Sequence, residues 1–486
     1  MTETRHTNLV GGDWREASSG AWLEVRDPAD VRELVGEVPA MAAADVAELY
    51  DRAAEGARAW RETGALERGA VLARAARLLT DRLDEIALDL VREMGKTLAE
   101  ARGEVAKSAE FFEFFAALAR IPYGELLHDA RAATETSARR EPLGVVLAIT
   151  PWNDPLLTPA RKLAPALIAG NAVILKPATN TPLVGIHLAR ALHDAGLPAG
   201  VLGTATGRGS AISGALLGDP RLAAVSFTGG NDVGAELRRA LADRNVRLQT
   251  ELGGKNAALV LADADLDLAA RTIGAAAFGQ AGQRCTATSR VVVERTVAGE
   301  LAERLTALAA AQRLGPGIDP ETTMGPVVSP EHRQEVLAHL ERAAAEGATA
   351  LTGGGKPADE RLAHGCFVEP SLLGGVGREM AIWREEVFGP VLALHEVGSF
   401  EEGVAAVNDS RYGLSAAIFT RDLGRAHRFA ALAETGQVAV NLPTSGWDIH
   451  MPFGGFRDSG SAFKEQGVDA LRFYTRVKTV AIHFGS

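Results

Sequence analysis

The segment around Cys285 reads AGQRCTATSR and has the residue types of a reactive cysteine. The pattern predicts a loop between a helix that ends near Ala281 and the strand SRVVVE, where a small molecule could reach the thiol. The thiolate is the nucleophilic form of cysteine, and we expect the guanidinium of Arg284 to favour it. The alternative is that Cys285 is an unreactive cysteine that packs in the core as a small apolar side chain. Because Cys366 is the only other cysteine, the chain has neither a disulfide framework nor a multi-cysteine zinc site, and we expect no metal.

Two other polar residues could supply the partners that a reactive thiol needs. Glu251, in QTELGGKN, is predicted to end a strand, and a carboxylate at that edge of an α/β sheet can act as a base. Asn153, in AITPWNDPLL, follows another strand end, and its amide can donate to a developing oxyanion. Taken singly, Glu251 could be a solvated carboxylate and Asn153 a turn residue close to proline. Together with Cys285 they form a set suited to covalent acyl chemistry.

A strand, a glycine-rich turn and a helix are predicted in SFTGGNDVGAEL, with Gly229, Gly230 and Gly234 in the turn. This arrangement offers backbone N–H groups to a pyrophosphate. Ala235 and Glu236 stand where a P-loop requires Lys and Ser or Thr, so nucleotide hydrolysis is disfavoured.

A second glycine-containing segment, GRGSAISG at 207–214, departs from the strict G-x-G-x-x-G fingerprint. Lys176, at a predicted strand end in LKPATNTP, could reach ribose or phosphate oxygens, although most lysines are simply solvated.

The length and composition indicate an ordinary folded protein. A chain of 486 residues with 47% hydrophobic residues predicts two or three domains with sizeable cores. The net charge of −11 offers no basic surface, so we expect no nucleic acid partner. We see no signal-peptide core and no apolar run near the roughly 20 residues of a membrane span, so we expect a cytoplasmic protein without a membrane partner.

The spacing of hydrophobic residues along the chain predicts the helices and strands that position these residues. Helical spacing covers 41–118, and short apolar runs at 144–149, 171–176, 201–206, 223–228 and 246–252 then alternate with helical stretches. This pattern is typical of a doubly wound parallel sheet. After residue 253, NAALVL, SRVVVE, GPVLALHEV, SAAIFT and GQVAVNL predict a second α/β domain. The alternating stretches 123–140 and 473–484 belong to neither sheet and predict an arm shared between subunits.

These patterns divide the chain into three parts. We expect a nucleotide-binding domain at 1–121 and 141–252, a catalytic domain at 253–440, and an oligomerisation arm at 122–140 and 468–486. No low-complexity linker separates the two α/β regions, so we expect them to share a cleft.

Seven short motifs together resemble the aldehyde dehydrogenase superfamily, in its NAD(P)-dependent, non-acylating branch. They occur in the family's order across nearly the whole chain: PWN at 151–153, LKPA at 175–178, FTGG at 227–230, ELGGKN at 251–256, GQRC at 282–285, EEVFGP at 385–390 and PFGG at 452–455. The resemblance implies the family's α/β fold, with a Rossmann-like cofactor domain, a catalytic domain and a β-strand arm. It also implies a homodimer or homotetramer that oxidises an aldehyde through a thiohemiacetal and a thioester.

The same resemblance implies a role for each matching residue. Cys285 would be the nucleophile and Glu251 the general base, while Asn153 and the backbone N–H of Cys285 would hold the oxyanion. NAD or NADP would be bound by residues of the cofactor motifs: Thr150, Trp152, Lys176, Thr179, Gly209, Gly229, Gly230, Val233, Leu252, Glu386 and Phe388.

Two departures from the family pattern concern the cofactor. Many NAD-specific members carry Glu three residues after the motif Lys, where this chain has Thr179. A 2′-phosphate would meet no carboxylate there, so we predict that NADP is accepted, alongside NAD. Gly230 replaces a commoner Ser and removes one hydroxyl donor to the pyrophosphate.

A third departure concerns the substrate funnel. Asp154, Thr158 and Arg161 are polar where many relatives carry bulky apolar residues, and Arg284 adds a cation beside the nucleophile. We therefore hypothesise a polar, carboxylate-bearing aldehyde such as a semialdehyde, held by Arg161 or Arg284. The alternative is that Arg161 only pairs with Asp154.

Other features bear on the same hypothesis. Two segments, NLPTSGWDIHMPFGG and GQRCTA, are similar to the corresponding segments of semialdehyde dehydrogenases that act on dicarboxylic compounds. Two features oppose the hypothesis of a carboxylate-bearing substrate. Trp447 and Phe453 would form an aromatic wall, and Asp154 would repel an anion.

Two rival functions stay open at this point. A CoA-acylating dehydrogenase would discharge the thioester to CoA, but Glu251 indicates a base aimed at water. A structural or regulatory homologue without activity would have no need of Cys285, Glu251 and Asn153 together.

Overall fold

The computed structural model describes residues 5–121 and 124–485. The chain begins with two hairpins that the hydrophobic period did not predict. They comprise β1 (Asn8–Val10), β2 (Asp13–Arg15), β3 (Trp22–Asp27) and β4 (Asp30–Pro39). The Gly11-Gly12 pair between β1 and β2 has positive φ angles of 63° and 95°, and this turn signal could have revealed the first hairpin.

Four helices follow, as the spacing in 41–118 predicts. They are α1 (Ala43–Glu62), α2 (Ala65–Asp81), α3 (Leu83–Met94) and α4 (Leu98–Ala117). Gly95 ends α3 with a φ of 91°, and Thr97 caps α4 by accepting from the N–H of Glu100. Phe111, Phe112 and other apolar residues of the layer are fully buried against the first sheet.

The first large sheet contains all five apolar runs predicted before residue 253. After β5 (Gly124–Leu127) and β6 (Thr134–Pro142), its elements are β7 (Val145–Ile149), α5 (Leu157–Ile168), β8 (Ala172–Lys176), α6 (Leu183–Asp194), β9 (Leu202–Thr204), α7 (Gly209–Gly218), β10 (Leu222–Thr228), α8 (Asn231–Ala240) and β11 (Arg247–Glu251). The strand order is β11-β10-β7-β8-β9, and every pair is parallel. From β7 the chain runs to β8 and β9 at one edge, and it then crosses back to β10 and β11 on the other side of β7. This reversal opens a crevice at the carboxyl ends of β7 and β10.

The second large sheet contains the strands predicted after residue 253. The elements of this half are β12 (Asn256–Val260), α9 (Leu266–Phe278), β13 (Thr288–Glu294), α10 (Arg295–Ala310), α11 (Pro330–Ala345), β14 (Thr349–Thr352), β15 (Ser371–Gly374), α12 (Ala381–Arg384), β16 (Val391–Val397), α13 (Phe400–Asn408), β17 (Tyr412–Gly413), β18 (Ser415–Phe419), α14 (Leu423–Leu432), β19 (Gln437–Val440), β20 (Phe456–Arg457), α15 (Ala470–Tyr474) and β21 (Thr475–His483). The sheet order is β14-β15-β16-β13-β12-β18-β19, with only β14 antiparallel. The short strands β14 and β15 were not predicted.

The two alternating stretches outside these sheets pair with each other. β6 lies between β5 and β21 in a three-stranded antiparallel sheet, in a register that runs from Thr475 opposite Pro142 to His483 opposite Thr134. Residues 122, 123 and 486 of the predicted arm, and 1–4 of the predicted cofactor domain, lie outside the described residues. Within the described ranges, no helix combines the length and the apolar character that crossing a bilayer requires.

Candidate active site

A cavity of about 590 Å³ lies where the two large sheets face each other. The carboxyl ends of β7, β10 and β11 reach it from the first sheet, and the segments that precede β12, β13 and β16 reach it from the second. Asn153, Glu251 and Cys285 all line this cavity, although they come from separate loops and strand ends. The structure thus brings the predicted nucleophile, base and oxyanion donor to one place.

Most of the predicted cofactor and substrate residues line the same cavity. They are Trp152, Asp154, Thr158, Arg161, Gly229, Gly230, Leu252, Arg284, Glu386, Phe388, Trp447 and Phe453. Five predicted residues lie outside it, toward the ends of β7 and β8 and the starts of α7 and α8: Thr150, Lys176, Thr179, Gly209 and Val233.

The Cys285 loop is tied to the second sheet by Asn256. The side-chain amide of Asn256 donates to the carbonyls of Cys285 and Ala287, each at 2.8 Å, and its Oδ1 accepts from the N–H of Ser415 at 3.1 Å. A buried side chain that satisfies three backbone groups fixes the loop firmly. These hydrogen bonds therefore hold the backbone of Cys285 at the cavity wall.

The charges around this thiol contradict the prediction that Arg284 favours the thiolate. Burial raises the pKa of Cys285 to about 12, and the cation that opposes this shift is Arg161. Arg284, the sequence neighbour predicted to favour the thiolate, instead donates through Nε to Oε1 of Gln280. Adjacent residues in a loop point in different directions, so proximity in sequence was misleading here.

Glu251 ends β11 with its carboxylate in the cavity and with 3% of the residue exposed. Neither carboxylate oxygen has a hydrogen-bond partner among the described residues. Burial and the repulsion of Glu465 raise the pKa of Glu251 well above its ordinary value, while Lys162, Lys464 and Arg161 oppose the shift. A carboxyl group with a raised pKa is suited to exchange protons near neutral pH.

A buried ionic group lies behind Glu251. Lys162 on α5 donates to Glu465 and, at 3.0 Å, to Ser226 on β10. Nη1 of Arg161 lies 3.8 Å from Oε2 of Glu465, and its guanidinium stacks over the ring of Phe453 at 4.7 Å. Nε of Arg161 is buried without a partner in the described chain. The suggested pairing of Arg161 with Asp154 is therefore wrong, because the acid beside Arg161 is Glu465.

Asp154 has different partners on the opposite wall. Its Oδ1 accepts from Gln280 at 2.9 Å and lies 3.4 Å from Nζ of Lys96. Although burial raises the pKa of Asp154, the cations Lys96 and Arg284 hold it below its ordinary value. The charge of Asp154 is thus largely compensated, and the sequence-based objection that it would repel an anionic substrate loses weight.

The first sheet offers the features that a dinucleotide phosphate requires. Gly230 caps α8, and a Cβ added there would meet no atom within 4 Å, so a ligand can approach its backbone closely. Gly234 lies inside α8 rather than in the predicted turn. Because Gly234 has no side chain, Leu252 can pack closely against its backbone. Burial lowers the pKa of Lys176 to about 8, and its ammonium donates only to Pro177 within the described chain.

The other cofactor motif lies on the second sheet's side of the cavity. Glu386 accepts from the N–H of Gly254 at 2.8 Å, and burial raises the pKa of Glu386 to about 7. Phe388 adopts a positive φ of 56°, which His332 supports by donating from Nε2 to its carbonyl at 2.8 Å. The rings of Trp152 and Phe388 meet edge to face at 5.3 Å. These groups form a polar and aromatic wall suited to a flat ring with an attached sugar.

Several residues that shape the site were missed by the sequence analysis. They are Lys96, Glu104, Lys162, Gln280, His332, Lys464 and Glu465. No local pattern distinguishes them, although a Lys or Glu at a position of helical apolar spacing, such as Lys162 and Glu104, is a weak signal of a buried charge.

Comparisons with known proteins agree with this geometry. The model of the aldehyde dehydrogenase family matches residues 14–480. The alpha-ketoglutarate semialdehyde dehydrogenase of Haloferax volcanii is 43% identical over 474 residues, which are 97% of this chain and 98% of that protein. The 2,5-dioxopentanoate dehydrogenase of Saccharolobus solfataricus is 39% identical over 470 residues, which are 96% of this chain and 97% of that protein.

Solved structures show the same fold. The betaine aldehyde dehydrogenase of Staphylococcus aureus in complex with NAD+ superposes with a TM-score of 0.96 at 31% identity, covering 98% of this chain and 94% of that one. Sequence and structure agree over almost the full length. The chain belongs to the aldehyde dehydrogenase family.

Proposed function

We propose that this aldehyde dehydrogenase oxidises 2,5-dioxopentanoate, also called alpha-ketoglutarate semialdehyde, to the corresponding dicarboxylate. The main supporting observation is the Arg161 guanidinium: the residue lines the cavity, its side chain keeps 11% exposure, and its Nη1 lies 3.8 Å from the nearest carboxylate oxygen, Oε2 of Glu465. A substrate carboxylate that reaches the exposed part of this guanidinium would accept charge-assisted hydrogen bonds from it. Arg284 provides a second cation on the cavity wall. The names of the relatives in Haloferax volcanii and Saccharolobus solfataricus support the same substrate.

The proposed chemistry uses the three residues that meet in the cavity. The thiolate of Cys285 adds to the aldehyde carbon, and the oxyanion of the resulting thiohemiacetal accepts from the amide of Asn153 and the N–H of Cys285. NAD or NADP, when bound, supplies the hydride acceptor that turns the thiohemiacetal into a thioester. Glu251 then takes a proton from water, the hydroxide attacks the thioester, and the carboxylate product leaves as the thiolate is restored.

Residues around the cavity would hold the cofactor. Lys176 and Thr179 would meet the adenosine ribose, Gly229 and Gly230 the pyrophosphate, and Glu386 the nicotinamide ribose. The support is the open approach to Gly230 and the partly unsatisfied ammonium of Lys176. A base directed at water favours hydrolysis of the thioester over transfer to CoA.

The assigned role of Glu251 can be tested by Glu251→Gln. Because this change removes the base but keeps the shape of the side chain, the first turnover should proceed and the thioester should then persist. Rapid mixing should show a burst of reduced cofactor, up to one equivalent per active site, followed by a steady rate about 100- to 10,000-fold below wild type. The wild-type steady rate should rise with pH through the raised pKa of Glu251, since only the carboxylate accepts a proton. Loss of the burst itself would contradict the assignment.

The substrate proposal can be tested by Arg161→Met, assayed with 2,5-dioxopentanoate and with propanal. Loss of charge-assisted hydrogen bonds should lower kcat/KM for the carboxylated aldehyde about 10- to 150-fold relative to propanal. Arg161→Lys is the matched control, because it keeps the charge without the planar fork and should lose less. An equal fall for both aldehydes would show that Arg161 supports catalysis in general and does not select the substrate.

We also propose that NADP is accepted beside NAD. Thr179 is half-buried, and its hydroxyl donates to the carbonyl of Gly207 at 3.3 Å, next to the exposed Arg208. A 2′-phosphate at this position would therefore meet the side chain of Thr179 and not the carboxylate that many NAD-specific relatives carry there. Thr179→Glu should lower kcat/KM with NADP relative to NAD at least about tenfold, because two negative charges would meet. Thr179→Gln, a neutral control of similar size, should change the ratio less, and an unchanged ratio in Thr179→Glu would refute the idea.

We propose further that the arm sheet joins copies of this chain in a homodimer or homotetramer. Its edge strands β5 and β21 expose apolar side chains, with Leu126 79% and Val477 59% exposed. Sedimentation velocity should show an oligomer, and Val477→Asp should shift it toward the monomer. The control Thr349→Asp adds the same charge to an exposed polar residue of β14, outside the arm sheet. A monomeric wild-type protein would refute this proposal.

A further inference from the structure

The backbone carbonyl of Asn153 is held from two sides. Nζ of Lys96 donates to it at 2.9 Å, and Nε2 of Gln280 donates at 3.3 Å. The side-chain amide of Asn153 makes no hydrogen bond within the described residues and lines the cavity. The backbone of Asn153 is therefore fixed while its amide is left free for a ligand.

Gln280 belongs to the other side of the reacting centre. It lies five positions before Cys285, and its carbonyl accepts from the backbone N–H of Gln283 at 3.1 Å and from the Gln283 side chain at 2.9 Å. Its own N–H donates to Glu100 at 2.7 Å. These bonds join Gln280 rigidly to the loop that carries Cys285. One side chain thus spans from the nucleophile loop to the loop of the oxyanion donor.

The partners of the Gln280 amide settle its orientation. Nε2 faces two acceptors, the carbonyl of Asn153 and Oδ1 of Asp154, and Oε1 faces Nε of Arg284. Gln280 is 4% exposed and adopts a left-handed backbone with a φ of 51°. Such a conformation in a residue other than glycine persists only where surrounding contacts hold it. The contacts here are the ones that link Cys285 with Asn153.

We propose that Gln280 is a positioning residue that sets the distance between the oxyanion donor Asn153 and the nucleophile Cys285. An oxyanion donor works only when it points at the site where charge develops, so a small displacement is costly. Without the Gln280 amide, Lys96 alone would hold the carbonyl of Asn153, and the loop could shift away from the thiol. The inference rests on the proposed role of Asn153 and does not depend on the substrate.

A double-mutant cycle tests this link. The variants are Asn153→Ala, Gln280→Met and the double variant, assayed for kcat with propanal at saturating NAD. Asn153→Ala should lower kcat about 100- to 1,000-fold, and Gln280→Met about 10- to 100-fold with little change in KM. Because Gln280 acts through Asn153, the double variant should be no slower than Asn153→Ala within about threefold.

Two further variants keep the test decisive. Asn256→Leu removes an equally buried amide that holds the Cys285 loop but contacts neither Asn153 nor Gln280, and its effect should multiply with that of Asn153→Ala. Gln280→Glu keeps an acceptor for Arg284 but loses the donor to Asn153, so it should lower kcat as Gln280→Met does and replaces it in the cycle if that variant fails to fold. Thermal unfolding of each variant separates stability from rate.

The outcomes distinguish this inference from the proposed function. If Asn153→Ala leaves kcat unchanged, the oxyanion role of Asn153 fails. If Asn153→Ala is strongly impaired but the effects of the Gln280 variants multiply with it, the oxyanion role stands and the positioning role of Gln280 is overturned.

Discussion

Glu251 is buried where the two large sheets meet, and none of the described residues donates a hydrogen bond to its carboxylate. A lone carboxylate in such a place would simply stay protonated, because burial of its charge costs several kcal/mol. Lys162, Lys464 and Arg161 reduce that cost, while Glu465 increases it. The net result is a pKa of Glu251 that lies well above its ordinary value, with the three cations limiting the rise.

The same burial governs the thiol. Burial raises the pKa of Cys285 to about 12, and the charge of Arg161 opposes that shift. Arg161 affects both groups, since its charge lowers the pKa of Cys285 and of Glu251. A ligand that engages its guanidinium therefore changes the electrostatics of nucleophile and base at once.

The sequence predicted all five strands of the first large sheet, five of the seven strands of the second, and the three residues that meet in the cavity, because each follows from a local pattern or a motif. Asn153, Glu251 and Cys285 lie at strand ends or in glycine-bearing loops, where topology directs chemistry to one edge. It could not predict that Arg161 faces Glu465 or that Gln280 bridges two loops. Those contacts join positions far apart in the chain, and each side chain is ordinary in its own segment.

Strained backbone marks the same loops. Gln280, Ala281 and Phe388 are non-glycine residues with φ angles between 51° and 56°, and each such conformation costs on the order of 1–3 kcal/mol. Close approaches add to this constraint, since a Cβ on Gly253 would lie 2.1 Å from Oε2 of Glu386. Hydrogen bonds offset the strain: Glu100 accepts from the N–H of Gln280, while Gln283 and His332 donate to the carbonyls of Gln280 and Phe388. The strained loops thus lower the free energy of unfolding locally, and they place the Cys285 thiol, the Asn153 amide and the aromatic wall around one cavity. The well-packed sheets on either side supply the stability that offsets this local cost.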